Sequence, residues 1–310
     1  MFRSQLAQFF PPKATFSKAD IPPQDGKNGP VYIAGRSEPT YRRAIQAIQA
    51  AIPASHGSLE FLHLDLADLT TIKATVDAFK AKEQRLDVLW NNAGVSQPPL
   101  GSTSAQGIEL QLATNCLGPF LLTRLLLPLL EATAATAGST PGSVRVIWAA
   151  SQIIELSAPR GGIIMSEIHS PPQDTTRNYI NSKTGNLLLA AELARQQRES
   201  ISTHHIPVVS VAVNPGAACT NLFRHTPYLR YLAWPLFHPV KLAATTQLYA
   251  GLSDDITIEK SGCYIVPWGR AATHLREDLV DALKPIGQTG GTGRAKEFWE
   301  FCQRATTSLE

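Results

Sequence analysis

The chain has 310 residues, of which 44% are apolar, and its net charge is +3 at pH 7. This length and apolar content can bury a large core. The charge is weak and the basic residues are scattered, which argues against a nucleic-acid partner. The four cysteines form no C-x-x-C pair, which argues against a zinc site or a disulfide framework and favours a reducing, cytoplasmic setting. They are Cys116, Cys219, Cys263 and Cys302.

The sequence predicts neither a secretory signal nor a membrane span. Met1 to Phe10 lacks the long apolar core and the small-residue cleavage site of a signal peptide. The most apolar run, Leu117 to Leu130, is too short to cross a bilayer and contains Arg124 and Pro128. We therefore expect a buried helix in a soluble protein.

Residues 1–27 are predicted to form an N-terminal extension, because they contain the pairs Pro11-Pro12 and Pro22-Pro23. One amphipathic turn in this extension has two interpretations. It packs on the domain surface, which we favour, or it makes a weak membrane or partner contact. The apolar residues of this turn are Phe2, Leu6, Phe9 and Phe10.

Residues 28–310 are predicted to form a single domain in which short apolar strands alternate with helices. Continuous apolar strands separated by helices predict a doubly wound, Rossmann-like α/β fold, in which helices cover both faces of a parallel sheet. The predicted strands are 31–34, 61–64, 86–90, 144–150, 207–213 and 263–266, and the predicted helices include one ending near 51, one from about 69 to 82 and a long one from about 115.

Tyr179 and Lys183 are four residues apart on a predicted helix and point the same way. An ammonium beside a phenol favours the ionised phenol, so a group whose pKa is ordinarily about 10 can exchange protons near neutrality. Such a pair also occurs by chance on solvated helices. Its meaning therefore depends on the other motifs.

Polar or small residues follow the predicted strands repeatedly, and ligands of doubly wound sheets bind outside the carboxyl ends of the strands. Taken alone, some of these signals have structural interpretations, since Asn91-Asn92 can close a turn and Asp65 can cap a helix. The signals are Gly35-Arg36, Asp65, Asn91-Asn92-Ala93-Gly94, Ser151 and Asn214-Pro215-Gly216.

Five motifs in this order make the chain resemble a short-chain dehydrogenase/reductase, of the group similar to retinol dehydrogenases and their fungal relatives. They are Asn91-Asn92-Ala93-Gly94, Asn115, Ser151, Tyr179-x-x-x-Lys183 and Pro215-Gly216 with Thr220. The resemblance covers roughly residues 28 to 270. It implies an oxidoreductase that interconverts an alcohol and a carbonyl on a small lipophilic substrate with NADP(H), in secondary metabolism. It calls for no metal and allows a homo-oligomer.

The resemblance also implies the role of each residue. Tyr179 would exchange a proton with the substrate oxygen, and Ser151 would hold that oxygen. Lys183 would lower the Tyr179 pKa and hold the nicotinamide ribose, and Asn115 would join Lys183 to a proton relay through water. The residues implied to contact the cofactor are Arg36, Asp65, Asn91, Asn92, Ala93, Gly94, Tyr179, Lys183, Pro215, Gly216 and Thr220.

Arg36 favours NADP over NAD. An arginine just past this strand can fork onto a 2′-phosphate, whereas a cofactor without that phosphate usually meets an acidic residue at the strand end. Glu38 lies two residues further on and weakens the distinction.

One part of the family pattern is missing. The family begins with a strand, the loop T-G-x-x-x-G-x-G and a helix, whereas here Lys27 to Pro30 runs directly into the strand at Val31. Roughly twenty to twenty-five residues are absent between Lys27 and Asn28, including the turn that seats the pyrophosphate. Either the flanking strands pair directly, or the N-terminal extension fills the gap. A skipped exon or mispredicted gene boundary, which we favour, competes with a natural cofactor-deficient variant that acts as a binding protein.

Residues 217–240 are rich in aromatic side chains and are predicted to form a lid over the substrate. Two other interpretations remain open. The segment could be a core-covering helix pair, or Tyr228 to Phe237 could join Phe9 and Phe10 in a weak peripheral membrane contact.

Overall fold

A computed structural model describes residues 8, 10–22, 29–53, 57–136, 138–200 and 206–310. Three apolar residues of the predicted N-terminal turn, Phe2, Leu6 and Phe9, lie outside the described residues, and Phe10 is 60% exposed.

The described residues form an α/β fold in which strands and helices alternate along the chain, as predicted. The strands are β1 (Val31–Gly35), β2 (Leu59–His63), β3 (Val88–Asn91), β4 (Arg145–Ala149), β5 (Val209–Val213), β6 (Tyr264–Val266) and β7 (Arg270–Ala271). The main helices are α1 (Glu38–Ala51), α2 (Ile72–Lys80), α3 (Gly118–Ala135), α4 (Thr175–Glu199), α5 (Val240–Leu252), α6 (Glu277–Leu283) and α7 (Arg294–Thr306).

The larger sheet has five strands in the order β3-β4-β5-β6-β7. Strands β3 to β6 are parallel, and β7 is an antiparallel edge strand that the sequence did not predict. Every residue of β4 and β5 is buried. Alternate residues of β4 face two cores, because Val146 and Trp148 pack into one cluster and Ile147 into another. The sheet is therefore covered on both faces, as the continuous apolar strands predict.

Strands β1 and β2 form a separate two-stranded parallel sheet. Among the described residues, β1 is hydrogen-bonded only to β2, and β3 only to β4. The alternative in which β1 and β3 pair directly is therefore wrong, and the predicted single sheet is interrupted at the position of the missing strand. Val31 is 57% exposed as a result.

Part of the N-terminal extension packs on the larger sheet. Phe16 is buried, and its ring meets that of Tyr249 on α5 edge to face, with centroids 5.2 Å apart. Both rings belong to the cluster that contains Ile147 of β4 and Val211 of β5. Phe16 is not part of the predicted amphipathic turn, so the choice between the two interpretations of that turn stays a prediction.

The long apolar helix is longer than predicted. Helical conformation continues from Leu110 through Ala135, which is long and apolar enough by length and composition to cross a membrane. In this structure, 67% of its apolar window is buried inside the protein. The expectation that the run is too short was wrong, and the expectation of a buried helix is confirmed.

Helix α4 begins at a defined cap. Asp174 accepts hydrogen bonds from the backbone N–H groups of Thr176 (2.9 Å) and Arg177 (3.0 Å), an arrangement that typically stabilises a helix start by about 1 kcal/mol. From Asn178 to Ala194, every residue of α4 is buried. This helix is therefore a rigid support for the side chains that it carries.

Candidate active site

Tyr179 and Lys183 lie one turn apart on α4, as predicted. Both are buried, with 8% and 4% of their surface exposed, and the Lys183 Nζ lies 5.8 Å from the centre of the Tyr179 ring. The side chain of Ser151, just after β4, is hydrogen-bonded to Tyr179. The structure thus brings three of the four predicted catalytic residues together at the carboxyl end of β4.

The Lys183 ammonium is held by the end of β4. It donates to the carbonyl oxygen of Ala149 at 2.9 Å, and Asn186 Nδ2 donates to the same oxygen at 2.8 Å. Burial lowers the pKa of Lys183 to about 8, because an ammonium loses hydration inside the protein. Lys183 therefore still carries its charge at neutral pH.

The Tyr179 hydroxyl makes hydrogen bonds with both Ser151 and Ser96. Burial raises the pKa of Tyr179 to about 12, and these two hydrogen bonds offset only part of that rise. The net direction is opposite to the lowering expected from Lys183. The physical reason is that desolvation of the phenolate is the largest contribution, while the ammonium is directed toward the Ala149 carbonyl.

Asn115 lies in a π-helical turn, Ala113–Leu117, and is fully buried. Its carboxamide accepts from the Val95 N–H (2.8 Å), donates to the Val95 carbonyl (2.9 Å) and donates to Ser182 Oγ (2.9 Å). Asn115 therefore fastens the loop after β3 to helix α4. Single π turns inside helices are frequent at functional sites, because they redirect one side chain.

Gly94 marks the point where Asn115 and Lys183 converge. A Cβ at this position would lie 2.9 Å from Asn115 Oδ1 and 3.5 Å from Lys183 Nζ. Glycine therefore allows the loop backbone to pass close to the Asn115 carboxamide, where a Cβ would collide with it. Within the same motif, Asn91 donates to Thr123 Oγ1 at 2.9 Å and is buried, whereas Asn92 and Ala93 are exposed, with Asn92 Oδ1 accepting from Gln247 at 3.1 Å.

Arg36 and Asp65 follow the two strands of the smaller sheet, apart from the catalytic residues of the larger one. Asp65 Oδ1 accepts from the Ala67 N–H at 2.9 Å, the local turn that its structural interpretation predicts. Arg36 is exposed, and the neighbouring Glu38 pairs with Arg42 at 2.6 Å. The acidic residue that complicated the cofactor prediction is thus engaged elsewhere.

The turn after β5 carries the remaining predicted cofactor contacts. Asn214 Oδ1 accepts from the Gly216 N–H at 2.9 Å, and Gly216 has φ +84°. A Cβ on Gly216 would lie 2.6 Å from the Trp268 ring, so the backbone after Pro215 approaches that ring closely. Thr220 is exposed and accepts from the Leu222 N–H at 3.2 Å, which caps a short 3₁₀ turn.

Two features of the site were missed by the sequence analysis. Ser96 is buried beside the Tyr179 hydroxyl, and its only signal was its place two residues after Gly94. Gln8 of the N-terminal extension donates to Glu155 and accepts from Asn214 Nδ2 at 2.8 Å. No sequence signal could join Gln8 to partners 147 and 206 residues away.

Only the nicotinamide end of an NADP(H) site can be traced in the described residues. Tyr179, Lys183, Asn115 and Gly94 lie close together there, and their hydroxyl, ammonium and carboxamide groups are of the kinds that a ribose and the reacting ring would require. The seat for the pyrophosphate would require a further strand between β1 and β3 in the sheet, followed by a glycine-rich turn and a helix. The described residues contain no such strand, turn and helix there. The described residues also contain no group of three or more His, Cys, Asp or Glu that could hold a metal ion.

Comparisons with known proteins identify the family of the chain and the solved structures that share its fold. Residues 26–147 match the short chain dehydrogenase family. A short-chain dehydrogenase/reductase of Phomopsis amygdali is 40% identical, with 97% of this chain and 96% of the relative covered. A crystal structure of an uncharacterised Mycobacterium paratuberculosis protein superposes with a TM-score of 0.62 at 22% identity, covering 95% and 98% of the two chains. The NADPH-bound carbonyl reductase from chicken fatty liver gives 0.51 at 19% identity, covering 76% and 84%.

The alignment with the Phomopsis amygdali protein also carries information about length. It spans 328 positions but includes only 97% of the 310 residues here, or about 301. About 27 positions of the alignment, the difference between 328 and 301, therefore face no residue of this chain. A deficit of this size is similar to that of one strand, loop and helix.

Proposed function

Because the chain belongs to the short-chain dehydrogenase/reductase family, we propose that it carries the catalytic residues of an NADP(H)-dependent alcohol dehydrogenase or carbonyl reductase for a small lipophilic substrate, an activity that requires the pyrophosphate seat missing between Lys27 and Asn28. One observation carries the proposal. The Tyr179 hydroxyl is hydrogen-bonded to Ser151 at the end of β4, with the Lys183 ammonium one helical turn away. A phenol, a hydroxyl and an ammonium in this order suit proton transfer to a substrate oxygen.

The residues of this chain manage the proton. Tyr179 keeps its proton at neutral pH, since its pKa is raised to about 12. It is therefore prepared to donate to the oxygen of a bound carbonyl compound, and Ser151 holds the same oxygen in place. Bound NADPH supplies the hydride in this direction.

Lys183 and Asn115 assist Tyr179, the proposed proton donor. The Lys183 ammonium lies 5.8 Å from the centre of the Tyr179 ring, so its positive charge would attract the phenolate that forms when Tyr179 gives up its proton, and its N–H groups would donate to the ribose hydroxyls of a bound cofactor. Asn115 keeps the Val95 backbone and Ser182 fixed. Orientation and proton transfer are thus the contributions of the protein.

The preference for NADP rests on Arg36. It is exposed at the end of β1, and Glu38, which would disfavour a phosphate, is paired with Arg42. The carbonyl reductase from chicken fatty liver, a structural neighbour, binds NADPH. We expect Arg36→Asp to shift the preference toward NAD, measured as the ratio of kcat/KM for the two cofactors.

A second candidate function is favoured by the interrupted sheet. A chain without the pyrophosphate seat would bind cofactor weakly and would act as a binding protein or be a non-functional variant. Among the described residues, β1 and β3 each have one edge without a pairing strand, which supports this alternative. The deficit of about 27 aligned positions supports the view that this chain lacks a segment that its catalytic relatives carry.

The experiment is a reductase assay on two proteins, the 310-residue chain and a version with a strand–glycine-loop–helix unit inserted between Lys27 and Asn28. We expect consumption of NADPH with lipophilic aldehydes and ketones by the second protein only, and its loss in a Ser151→Ala control. If the completed protein folds, binds NADPH and reduces none of the carbonyl compounds, the proposed function is wrong. If the 310-residue chain is fully active, the second candidate is wrong.

A further inference from the structure

The loop at residues 217–240 exposes more large apolar side chains than any similar length of the described chain. Three of them belong to a short stretch: Tyr231 is 80% exposed, Leu232 is 75% exposed and Trp234 is 71% exposed. Tyr228 (57%) and Val240 (52%) extend the same surface. A cluster of this kind marks an interaction site more often than isolated exposed residues do.

The base of this loop is fixed to the domain, while its tip is not covered. The His238 N–H donates to the Ala217 carbonyl at 2.8 Å, which closes the loop, and the His238 ring meets Trp268 edge to face. Inside the loop, Phe223 and Phe237 contact each other with centroids 5.1 Å apart. The inner aromatic residues thus hold the loop together, and the outer ones face away from the domain.

The charged residues of the loop and of the chain on either side of it have one sign. Residues 200–253 contain no aspartate or glutamate, but they include Arg224, Arg230 and Lys241. Arg224 and Lys241 are exposed at the two ends of the loop. An apolar, aromatic tip between basic residues is the composition that favours the headgroup region of a membrane with anionic lipids.

We propose that the tip of the 217–240 loop, centred on Tyr231, Leu232 and Trp234, binds peripherally to an anionic lipid surface. The apolar side chains enter the boundary between headgroups and acyl chains, and Arg224 and Lys241 contact the lipid phosphates. The inference goes beyond the proposed function, because it depends on neither the cofactor nor the catalytic residues. An isologous contact with a second copy is disfavoured, since it would bring the same basic residues together.

The test is flotation of the full chain with vesicles of phosphatidylcholine alone and with added phosphatidylserine. We expect binding to the second composition, weakened by high salt. The triple variant Tyr231→Ser, Leu232→Ser, Trp234→Ser should lower the apparent vesicle affinity at least about tenfold, because it removes the apolar part of the contact. All three residues are exposed, so the circular dichroism spectrum and melting temperature should match those of the parent.

A matched control removes exposed apolar residues elsewhere: Ile52→Ser, Leu100→Ser and Ile286→Ser, which replace side chains that are 51%, 56% and 83% exposed. This variant should float like the parent. Trp234 supplies a second readout, because Trp148, Trp268 and Trp299 are buried and Trp90 is half-buried. Brominated acyl chains should quench the Trp234 emission of the parent, and a Trp234→Phe variant should lose that quenching.

Two results would overturn the proposal: the parent does not float with phosphatidylserine vesicles, or the triple variant floats as well as the parent. If the parent does not float and is a dimer that the triple variant converts into a monomer, the surface belongs to a contact with a second copy.

Discussion

The two sheets of this protein are made from similar apolar strands but differ in how completely they are buried. Strands β4 and β5 have hydrogen-bonded neighbours on both sides, and all of their residues are buried. Strand β1 has one neighbour among the described residues, and Val31 is 57% exposed. The carbonyl that holds Lys183 belongs to β4, whereas Arg36 follows β1. The residues with the proposed role in proton transfer are thus held by the well-buried sheet, and the residue with the proposed role in binding the 2′-phosphate follows the more exposed one.

The largest expected effect, on NADPH binding, comes from a change that would supply the strand missing between the two sheets. Inserting a strand–glycine-loop–helix unit between Lys27 and Asn28 should strengthen NADPH binding by about two to four decades, because two or more hydrogen bonds to a charged pyrophosphate are gained at about 1.5–3 kcal/mol each. Thermal-shift titration with NADPH measures the change.

The control for this insertion is a unit in which the loop glycines are replaced by alanine, which fills the sheet without the phosphate seat. Saturable stabilisation of the unmodified 310-residue chain by micromolar NADPH would contradict the prediction. It would mean that the extension rebuilds the site.

The next effect, on turnover, comes from a substitution beside the larger sheet alone. In the completed protein, Tyr179→Phe should lower kcat by about 10²–10⁴ and leave the Kd for NADPH nearly unchanged, because only the transferable proton is removed. Tyr249→Phe is the matched control, since this buried tyrosine lies on α5 and its hydroxyl faces Asp255 at 3.4 Å. Retention of more than about a tenth of the rate by Tyr179→Phe would exclude it as the acid.

A smaller effect, on the pH dependence of stability, comes from the buried ammonium of Lys183 beside the larger sheet. The folded-state pKa of Lys183, about 8, lies below its unfolded value, so between about pH 8 and 10 the unfolded chain binds more protons and stability rises with pH. Below pH 8 both states are protonated and the burial cost remains. The Tyr179 pKa, raised to about 12, acts in the opposite sense above pH 10, where the unfolded phenol loses its proton first.

The measurement compares the parent with Lys183→Met by urea unfolding. The difference in free energy of unfolding, parent minus variant, should rise by at most about 2 kcal/mol between pH 8 and 9.5. Both proteins carry Cys116→Ala, because the charges of Cys116 and Lys183 influence each other's pKa and the contribution of this thiol would not cancel in the difference. A difference that stays flat over this range would show that Lys183 does not have a depressed pKa.

The smallest effect compares the two sheets directly. Ile147 of β4 is 1% exposed, and Ile147→Val should cost about 0.5–1.5 kcal/mol of stability. Ile33 of β1 is half-buried, so Ile33→Val should cost less than half of that amount. Urea unfolding with a constant m-value gives both numbers. Equal costs would mean that the smaller sheet is as well packed as the larger one.

Much of this architecture could be predicted from the sequence, because the signals are local. The apolar run before Ser151 is a strand with all five residues buried, and the spacing of Tyr179 and Lys183 places both on one face of α4. The sequence also predicts that the first family strand is missing, since Gly29-Pro30 leads straight into Val31, and the described residues contain no strand before β1. Each of these features is decided by residues close together in the chain.

The rest depends on contacts between distant residues. The direction of the Tyr179 pKa shift could not be predicted, because the degree of burial is set by tertiary packing around α4. The contacts of Gln8 with Asn214 and Glu155 join opposite ends of the chain. Strand β7 has only two residues, too few for a recognisable pattern.

The hydrogen bonds of Lys183 and Asn115 have an evolutionary consequence. Lys183 fastens α4 to Ala149, and Asn115 fastens the loop at Val95 to Ser182. A lineage that lost its cofactor would still be selected to keep both residues, since either substitution leaves buried polar partners unsatisfied. Tyr179→Phe removes only a hydroxyl that bridges two serines. In a gene that is preserved for its fold and no longer for its chemistry, we therefore expect the Tyr179 hydroxyl to be lost before Lys183 or Asn115.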